Sequence, residues 1–348
     1  MKELVVISGK GGTGKTSVVA AFASLAGNKV LADCDVDAAD LHLILQPKTH
    51  SVHEFRSGNE AVILQEACTG CGACLVNCRF GAVKQTSGVD VEWMLRASAH
   101  ACDDCDFCVR SCPNRSIDMI HAMQESYGDA DRATFVIDPL SCEGCGVCVD
   151  TCPAKAIQFP ERIAGEWYLS DTRHGPMVHA RLGIAAENSG KLVSLVRQQA
   201  RQLALEQGKD LILIDGPPGI GCPVIASITG ATMVLIIAEP TLSGQHDFQR
   251  VTELAHHFQI PAYLCVNKWD INLNLTETIE KCAVQFGVQA LGRIRYDKDV
   301  TKAQIQGENI LEYSKNGIAA DVRDLWQQVI SAISDKEYVS SMNANMAL

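Results

Sequence analysis

The sequence has no apolar run long enough to cross a bilayer and no excess of positive charge. A membrane-spanning helix needs about 20 consecutive apolar residues, and no run among the 348 residues approaches that length. The first residues already form a strand-like segment, so we expect no secretory signal. Acidic residues outnumber basic residues by 41 to 30, which argues against a nucleic-acid-coating surface. We therefore expect a cytoplasmic protein that binds neither nucleic acid nor membrane.

Cysteine, in contrast, is abundant, with sixteen residues. Cytosolic thiols are kept reduced, so this number favours metal ligation over disulfides. Twelve cysteines form three runs with the spacing C-x2-C-x2-C-x3-C, which is typical of bacterial ferredoxins, whereas zinc sites use separated pairs. The runs therefore predict three 4Fe–4S clusters. Their ligands would be Cys68, Cys71, Cys74 and Cys78; Cys102, Cys105, Cys108 and Cys112; and Cys142, Cys145, Cys148 and Cys152.

The spacing leaves the membership of each cluster open. In two-cluster ferredoxins the fourth cysteine of one run binds the cluster of the other run. One pairing joins the first and third runs, and the second run, in an extra insertion of about residues 86–132, then binds its own cluster. The rival pairing joins the second and third runs, whose last cysteines precede Pro113 and Pro153, whereas the first run has Arg79 at that place.

A glycine-rich stretch near the N-terminus has the pattern of a phosphate-binding loop. The apolar residues 4–7 precede it and the helix-like residues 17–23 follow it. In this G-x-x-x-x-G-K-[ST] pattern, backbone N–H groups and the helix N-terminus bind phosphate, Lys15 reaches the β- and γ-phosphates, and Thr16 binds Mg²⁺. The predicted nucleotide-binding residues of the loop are Gly9, Lys10, Gly11, Gly12, Thr13, Gly14, Lys15 and Thr16.

The loop K-G-G-T-G-K-T, with Lys10 after its first glycine, resembles the deviant Walker A loop of the MinD/ParA/Mrp class of ATPases, which includes the nitrogenase iron protein. In that class the early lysine reaches the nucleotide of a partner subunit. The resemblance implies that Lys10 acts in trans in a nucleotide-sandwich homodimer, or in a heterodimer with a related ATPase. It also implies that Asp35, after the second strand, positions the attacking water or the Mg²⁺ shell, with Asp33 in support.

Two further strand ends carry polar residues. The apolar residues 211–214 end in Asp215, the Walker B pattern in which the carboxylate holds Mg²⁺ through water. A later strand ends at Asn267-Lys-Trp-Asp270. Asn267 matches the residue that contacts adenine in the MinD class, yet N-K-x-D also resembles the guanine-binding motif of GTPases, in which Asp270 would bind the base. The Lys10 loop favours ATP, and GTP is the alternative.

The remaining segments carry weaker signals. Residues 292–297 resemble the loop that flanks the base in the MinD class, with Arg295 in place of a proline. Cys34, Cys265 and Cys282 are expected to be small packing residues. Cys222 follows Asp215 at a spacing similar to that of an interfacial cluster ligand in the nitrogenase iron protein. Because no second cysteine completes such a site, a structural role is favoured.

These resemblances divide the chain into three parts. Residues 1–63 and 161–333 resemble a MinD-type ATPase domain, residues 64–160 a ferredoxin-like iron–sulfur domain, and residues 334–348 a flexible tail. The predicted fold is α/β, with a doubly wound, mostly parallel sheet and an α+β iron–sulfur module inserted after the second strand and its helix.

The leading functional hypothesis is a dimerising switch ATPase that couples ATP binding and hydrolysis to electron transfer to a redox partner protein. The first alternative is a carrier, similar to Mrp-type scaffolds, that delivers an iron–sulfur or metal cofactor to a receiving protein. The second is a MinD/ParA-like positioning ATPase with clusters that act as a redox sensor.

Overall fold

The computed structural model describes residues 1–88, 90, 132–183, 186 and 189–334. The second cysteine run, most of the insertion predicted at about 86–132 and nearly all of the tail lie outside the described residues. The chain divides into two compact units, Met1–Phe55 with Gly165–Leu348, and Arg56–Ala164. The sequence analysis placed the corresponding boundaries at 63/64 and 160/161.

The first unit is built on one large, mostly parallel sheet. Its central strands are continuous apolar runs, such as residues 4–7 and 212–214, which are fully buried, as expected of parallel strands covered on both faces. The sheet order, with strands numbered along the chain, is β13 (Gln289–Ile294), β12 (Ala262–Asn267), β11 (Met233–Ala238), β1 (Lys2–Ser8), β10 (Leu211–Pro218), β2 (Lys29–Asp33), β9 (Gly175–Leu182), β8 (Glu161–Thr172) and β3 (Lys48–Asn59).

Strand register brings the predicted acidic residues together. β1 lies between β10 and β11 and runs parallel to both, with Val6 opposite Asp215. β10 also pairs in parallel with β2, with Asp215 opposite Asp33. Both carboxylates therefore lie at the carboxyl edge of the sheet, where open α/β sheets bind ligands.

The predicted α/β fold with a mostly parallel sheet is confirmed, with two differences. β8 and β9 form an antiparallel hairpin in which Gly165 lies opposite Leu182, and the sequence analysis did not predict this hairpin. Residues 292–294, expected in a loop, belong to β13 and pair with β12. The base-flanking loop is therefore shorter than predicted.

Helices cover the sheet with apolar faces. In the helix Ser189–Glu206 the buried Leu192, Val196 and Ala200 recur every four residues, as an amphipathic helix requires. The helices of this unit are α1 (Lys15–Leu25), α2 (Leu41–Leu45), α5 (Ser189–Glu206), α6 (Cys222–Ile228), α7 (Leu242–His257), α8 (Leu273–Gln285), α9 (Asp299–Ile305), α10 (Ile310–Tyr313) and α11 (Ile318–Ser334). Across the described residues, every helix is too short or too polar to span a membrane.

The second unit consists of two matched β-α-β halves, each of which carries one cysteine run. β4 pairs antiparallel with β7, and β5 pairs antiparallel with β6. Phe135, on β6, is fully buried and packs in the small core between the halves. The first half is β4 (Val62–Ile63), α3 (Ala73–Asn77) and β5 (Val83–Ser87), and the second is β6 (Thr134–Ile137), α4 (Val147–Asp150) and β7 (Ile157–Gln158).

Candidate functional site

The glycine-rich loop runs from the end of β1 to the first residue of α1. Gly14 has φ 91°, and a Cβ there would lie 2.5 Å from Asn267 Nδ2, so only glycine fits. The Asn267 amide donates to the Thr13 carbonyl at 2.7 Å. The loop borders a cavity of about 440 Å³ that also reaches Lys15 and Thr16. Backbone N–H groups and a helix N-terminus at one end of this cavity suit an anion such as a phosphate chain.

Lys15 and Asp35 form a buried ion pair inside this cavity. The Lys15 Nζ to Asp35 Oδ2 distance is 3.4 Å, and the two side chains are 5% and 10% exposed. Burial raises the pKa of Asp35, and the charge of Lys15 opposes this shift. Asp33 accepts the backbone N–H groups of Asp35, at 3.1 Å, and of Leu41, at 3.3 Å. Asp33 thus shapes the segment that presents Asp35.

Asp215, on β10, carries a carboxylate that the fold buries. Its residue is fully buried, and among the described residues neither carboxylate oxygen has a hydrogen-bond partner. Burial raises its pKa to about 6, and the charge of Lys15 opposes this shift. Unsatisfied buried oxygens require an explanation, and carboxylate and hydroxyl oxygens are the donors that Mg²⁺ prefers. Asp215, Thr16 and Asp35 therefore fit a Mg²⁺ site.

The cavity is also lined by Asn267, the last residue of β12, and by Arg295 and Tyr296, which follow β13. Asp270 is not among the described residues that line it. Its Oδ1 accepts the backbone N–H of Tyr296 at 2.7 Å, so Asp270 fixes the loop after β13. Arg295 is held in turn by Asp321, at 2.7 Å from Nε. The structure thus places Asn267 in the cavity lining and Asp270 outside that lining.

Lys10 lies outside the cavity lining. Its ammonium is 3.2 Å from Glu239 Oε2, 3.4 Å from Thr241 Oγ1 and 3.3 Å from Ser243 Oγ. The sequence analysis missed these partners, although Glu239 directly follows β11 at the same sheet edge as the loop. Lys10 therefore contacts three oxygen atoms of its own chain.

In the second unit, eight cysteines of the first and third runs form two sets of four, one set around each of two small cavities. In each set, three cysteines come from one run and the fourth from the other. The first cysteine site is Cys68, Cys71, Cys74 and Cys152, and the second cysteine site is Cys142, Cys145, Cys148 and Cys78.

The two cysteine sites have matched backbone surroundings. The Ala82 N–H donates to Cys78 Sγ and the Ala156 N–H to Cys152 Sγ, both at 3.3 Å. α3 and α4 each begin after a glycine with positive φ, Gly72 at 71° and Gly146 at 76°. Amide donors to thiolate sulfur tune metal clusters. The same local structure is therefore built twice.

The donor chemistry of these sites favours a thiolate-bound group. Burial raises the pKa of Cys74 to about 12, so this group stays a thiol unless a bound cation deprotonates it. Among the described residues no three His, Cys, Asp or Glu side chains converge closely enough to hold a single metal ion. Four cysteines line each cavity, and four is the number of thiolate ligands of a 4Fe–4S cluster.

The remaining described cysteines divide by burial. Cys34 and Cys265 are fully buried and Cys282 is nearly so, which agrees with the packing roles expected for them. Cys222, for which a structural role was favoured, is exposed at the first position of α6. Core packing therefore does not explain Cys222.

A parallel sheet with a glycine loop between β1 and α1, and buried acids at neighbouring strand ends, defines a P-loop nucleotide-binding protein. Residues 4–310 match the CobQ/CobB/MinD/ParA nucleotide binding domain, and the chain belongs to that family. The predicted membership of a MinD/ParA-type P-loop family is thereby confirmed, and the narrower likeness to the nitrogenase iron protein stays a prediction.

Individual relatives agree with this assignment. An uncharacterized protein of Methanocaldococcus jannaschii is 28% identical over 331 residues, which cover 94% of this chain and 96% of that protein. Septum site-determining protein MinD of Bacillus subtilis is 24% identical over 169 residues, 47% of this chain and 63% of that protein. The structure of septum site-determining protein MinD complexed with Mg-ADP from Pyrococcus horikoshii has the same fold, with a TM-score of 0.52, 14% identity, and coverage of 96% and 99% of the two chains.

Proposed function

We propose that this protein is a nucleotide-dependent switch ATPase that couples ATP binding and hydrolysis to electron transfer through 4Fe–4S clusters to a partner protein. One observation carries the proposal: the same chain has a P-loop, with the charged residues Lys15, Asp35 and Asp215, and two four-cysteine sites. The family assignment supports the ATPase half of the proposal. The cysteine sites support the redox half.

In the nucleotide site each residue has a defined task. Lys15 binds the β- and γ-phosphates, Thr16 and Asp215 hold Mg²⁺, and Asp35 orients the attacking water. Asn267 and the segment after β13 surround the base. ATP is favoured over GTP because Asn267 lines the cavity, whereas Asp270, which would have to bind guanine, is not among the described residues that line it.

In the second unit, each cysteine site supplies the four thiolates of one 4Fe–4S cluster, which provides one-electron chemistry when bound. The residues of this chain hold the cluster, donate N–H groups to the ligand sulfurs and set how far each site is buried. Cys71 and Cys74 are buried, whereas Cys145 is exposed. The second run, with Cys102, Cys105, Cys108 and Cys112, would bind a third cluster.

The nucleotide site and the cysteine sites each imply a partner. Lys10 would reach the nucleotide of a second copy or a related ATPase, and a redox protein would accept the electron. A cofactor carrier would have the same nucleotide site but would release a cluster to a receiving protein during turnover. Retention of all clusters through ATP hydrolysis therefore separates electron transfer from delivery.

The proposal is tested by metal content together with hydrolysis. Anaerobically prepared protein should contain about twelve irons and twelve sulfides per chain, as three clusters require. Serine at Cys102, Cys105, Cys108 and Cys112 together should remove about four irons. As a control, Lys15→Ala should lose ATP hydrolysis and keep its iron. Protein that binds zinc in place of iron, or that loses iron to an acceptor during turnover, would contradict the electron-transfer proposal.

A further inference from the structure

Glu239 contacts two lysines of the nucleotide site at once. It follows β11, and its side chain is 13% exposed. Its Oε2 lies 3.2 Å from Lys10 Nζ, and its Oε1 contacts Lys268 Nζ. Lys268 also donates to the Gly12 carbonyl at 3.3 Å. One carboxylate therefore joins the glycine-rich loop to the segment that follows β12.

The surroundings of Lys10 make this contact a defined position. Its ammonium also lies within 3.4 Å of the Thr241 and Ser243 hydroxyls, where α7 begins. The loop approaches α7 closely, because a Cβ at Gly9 would lie 2.2 Å from Asp247 Cβ. Lys10 thus has three oxygen partners on its own chain.

We propose that Glu239 is a positioning residue that keeps Lys10 on its own chain until a second copy presents a nucleotide. The inference rests on the proposed function, because only a trans role for Lys10 requires its release. Lys268 lowers the free-energy cost of releasing Lys10. When Lys10 leaves, Glu239 still has a cationic partner, whereas a largely buried carboxylate without any partner would be unfavourable. The several negative charges of a triphosphate then outcompete the single carboxylate for Lys10.

The contact itself is tested on the single chain. Glu239→Gln keeps the size of the side chain but removes the charge. Without nucleotide, the rate at which an amine-reactive reagent modifies Lys10, read by mass spectrometry relative to the exposed Lys48, should rise about two- to fivefold. The matched control Glu277→Gln removes the carboxylate of an exposed pair with Lys281 and should leave the Lys10 rate unchanged. An unchanged Lys10 rate in Glu239→Gln overturns the inference.

The consequence is tested by association in the Asp35→Ala background, which should hold ATP without hydrolysing it. With Mg-ATP, Glu239→Gln should lower the dimer Kd, measured by sedimentation, about two- to fivefold, and with Mg-ADP both proteins should stay monomeric. If the parent does not dimerise with ATP, the proposed dimer switch fails, and the labelling result still decides the contact between Glu239 and Lys10. If the parent dimerises with Mg-ATP and the dimer Kd of Glu239→Gln is equal to that of the parent or higher, only the role of Glu239 is overturned.

Discussion

Lys15 and Asp35 carry opposite charges at 3.4 Å in a largely buried setting. Such a pair adds little net stability, because desolvation offsets most of the attraction, but loss of one partner leaves an uncompensated charge. In the proposed function the same two residues have different tasks toward ATP. Lys15 would neutralise phosphate, and Asp35 would act on the water that attacks it. Substitution at the two positions should therefore separate binding from hydrolysis.

Lys15→Ala should abolish nucleotide binding, because it removes the charge that holds the β- and γ-phosphates. Asp35→Ala should keep binding and lower hydrolysis about a hundredfold or more. Binding of a fluorescent ATP analogue and phosphate release measure the two effects. The exposed Asp171, which pairs with His50, provides the control, since Asp171→Ala should change neither quantity. Normal hydrolysis by Asp35→Ala would refute the catalytic assignment.

His179, on β9, should make stability depend on pH. Its ring Nε2 lies 2.9 Å from Ser170 Oγ, and burial, with a smaller contribution from His42, lowers its pKa to about 4. In the unfolded chain the pKa is about 6.5. As the pH falls from 7 to 5, the unfolded chain takes up the proton before the folded chain does, so the free energy of unfolding should fall by at most about 2 kcal/mol.

The measurement for His179 is urea unfolding at pH 7 and pH 5, with His179→Gln as the comparison. The glutamine cannot titrate, so the variant should lose less stability between the two pH values than the parent. Other acidic and histidine groups contribute equally to both proteins and cancel in the difference. Equal losses in the two proteins would show that His179 does not titrate as its burial implies.

Among the elements, the strands that the sequence predicted are those with continuous apolar runs. β1, β10 and β11 are buried on both faces, so every residue of the core segment is apolar and the pattern is plain. β3 is largely exposed, β8 alternates irregularly between exposed, half-buried and buried positions, and β9 includes a buried histidine. Those strands carry no clear apolar pattern, because few positions of β3 and β8 are buried and the histidine interrupts the apolar run of β9.

In the nucleotide site, the sequence predicted the residues that belong to motifs and missed the others. Lys15, Asp35 and Asp215 belong to motifs with fixed spacing, and the structure places Lys15 and Asp35 in the cavity lining and Asp215 opposite Asp33 on the neighbouring strand. Glu239 follows a strand without any spacing that marks it, so only the fold shows its contacts with Lys10 and Lys268. The membership of the cysteine sites was open in the sequence, because it depends on how the two β-α-β halves pair.

Paired serine substitutions test this membership. Cys68 and Cys152 lie in one site, whereas Cys142 and Cys152 lie in different sites. Cys68→Ser with Cys152→Ser should therefore cost about four irons, and Cys142→Ser with Cys152→Ser about eight. Cys222→Ser controls for the loss of an exposed thiol and should cost none. If each run bound its own cluster, the two double variants would give the opposite result.

In the whole molecule, the proposed function couples nucleotide hydrolysis to electron transfer within one chain. If nucleotide changes the reduction potential of a cluster, the oxidation state of that cluster must change nucleotide affinity by the same factor, because linkage is reciprocal. For a one-electron couple, about 59 mV corresponds to a tenfold change in affinity. The coupling therefore has a measurable size, whatever partner receives the electron.

The most direct test is the set of cluster reduction potentials without nucleotide, with Mg-ADP and with Mg²⁺ and a non-hydrolysable ATP analogue. Spectroscopic redox titration of the full chain, with Lys15→Ala as the control that cannot bind nucleotide, gives all of these values. We expect the ATP analogue to shift at least one potential by tens of millivolts, where about 59 mV corresponds to a tenfold change in affinity, and we expect no shift in Lys15→Ala. Potentials that are identical in all three states would contradict nucleotide-gated electron transfer.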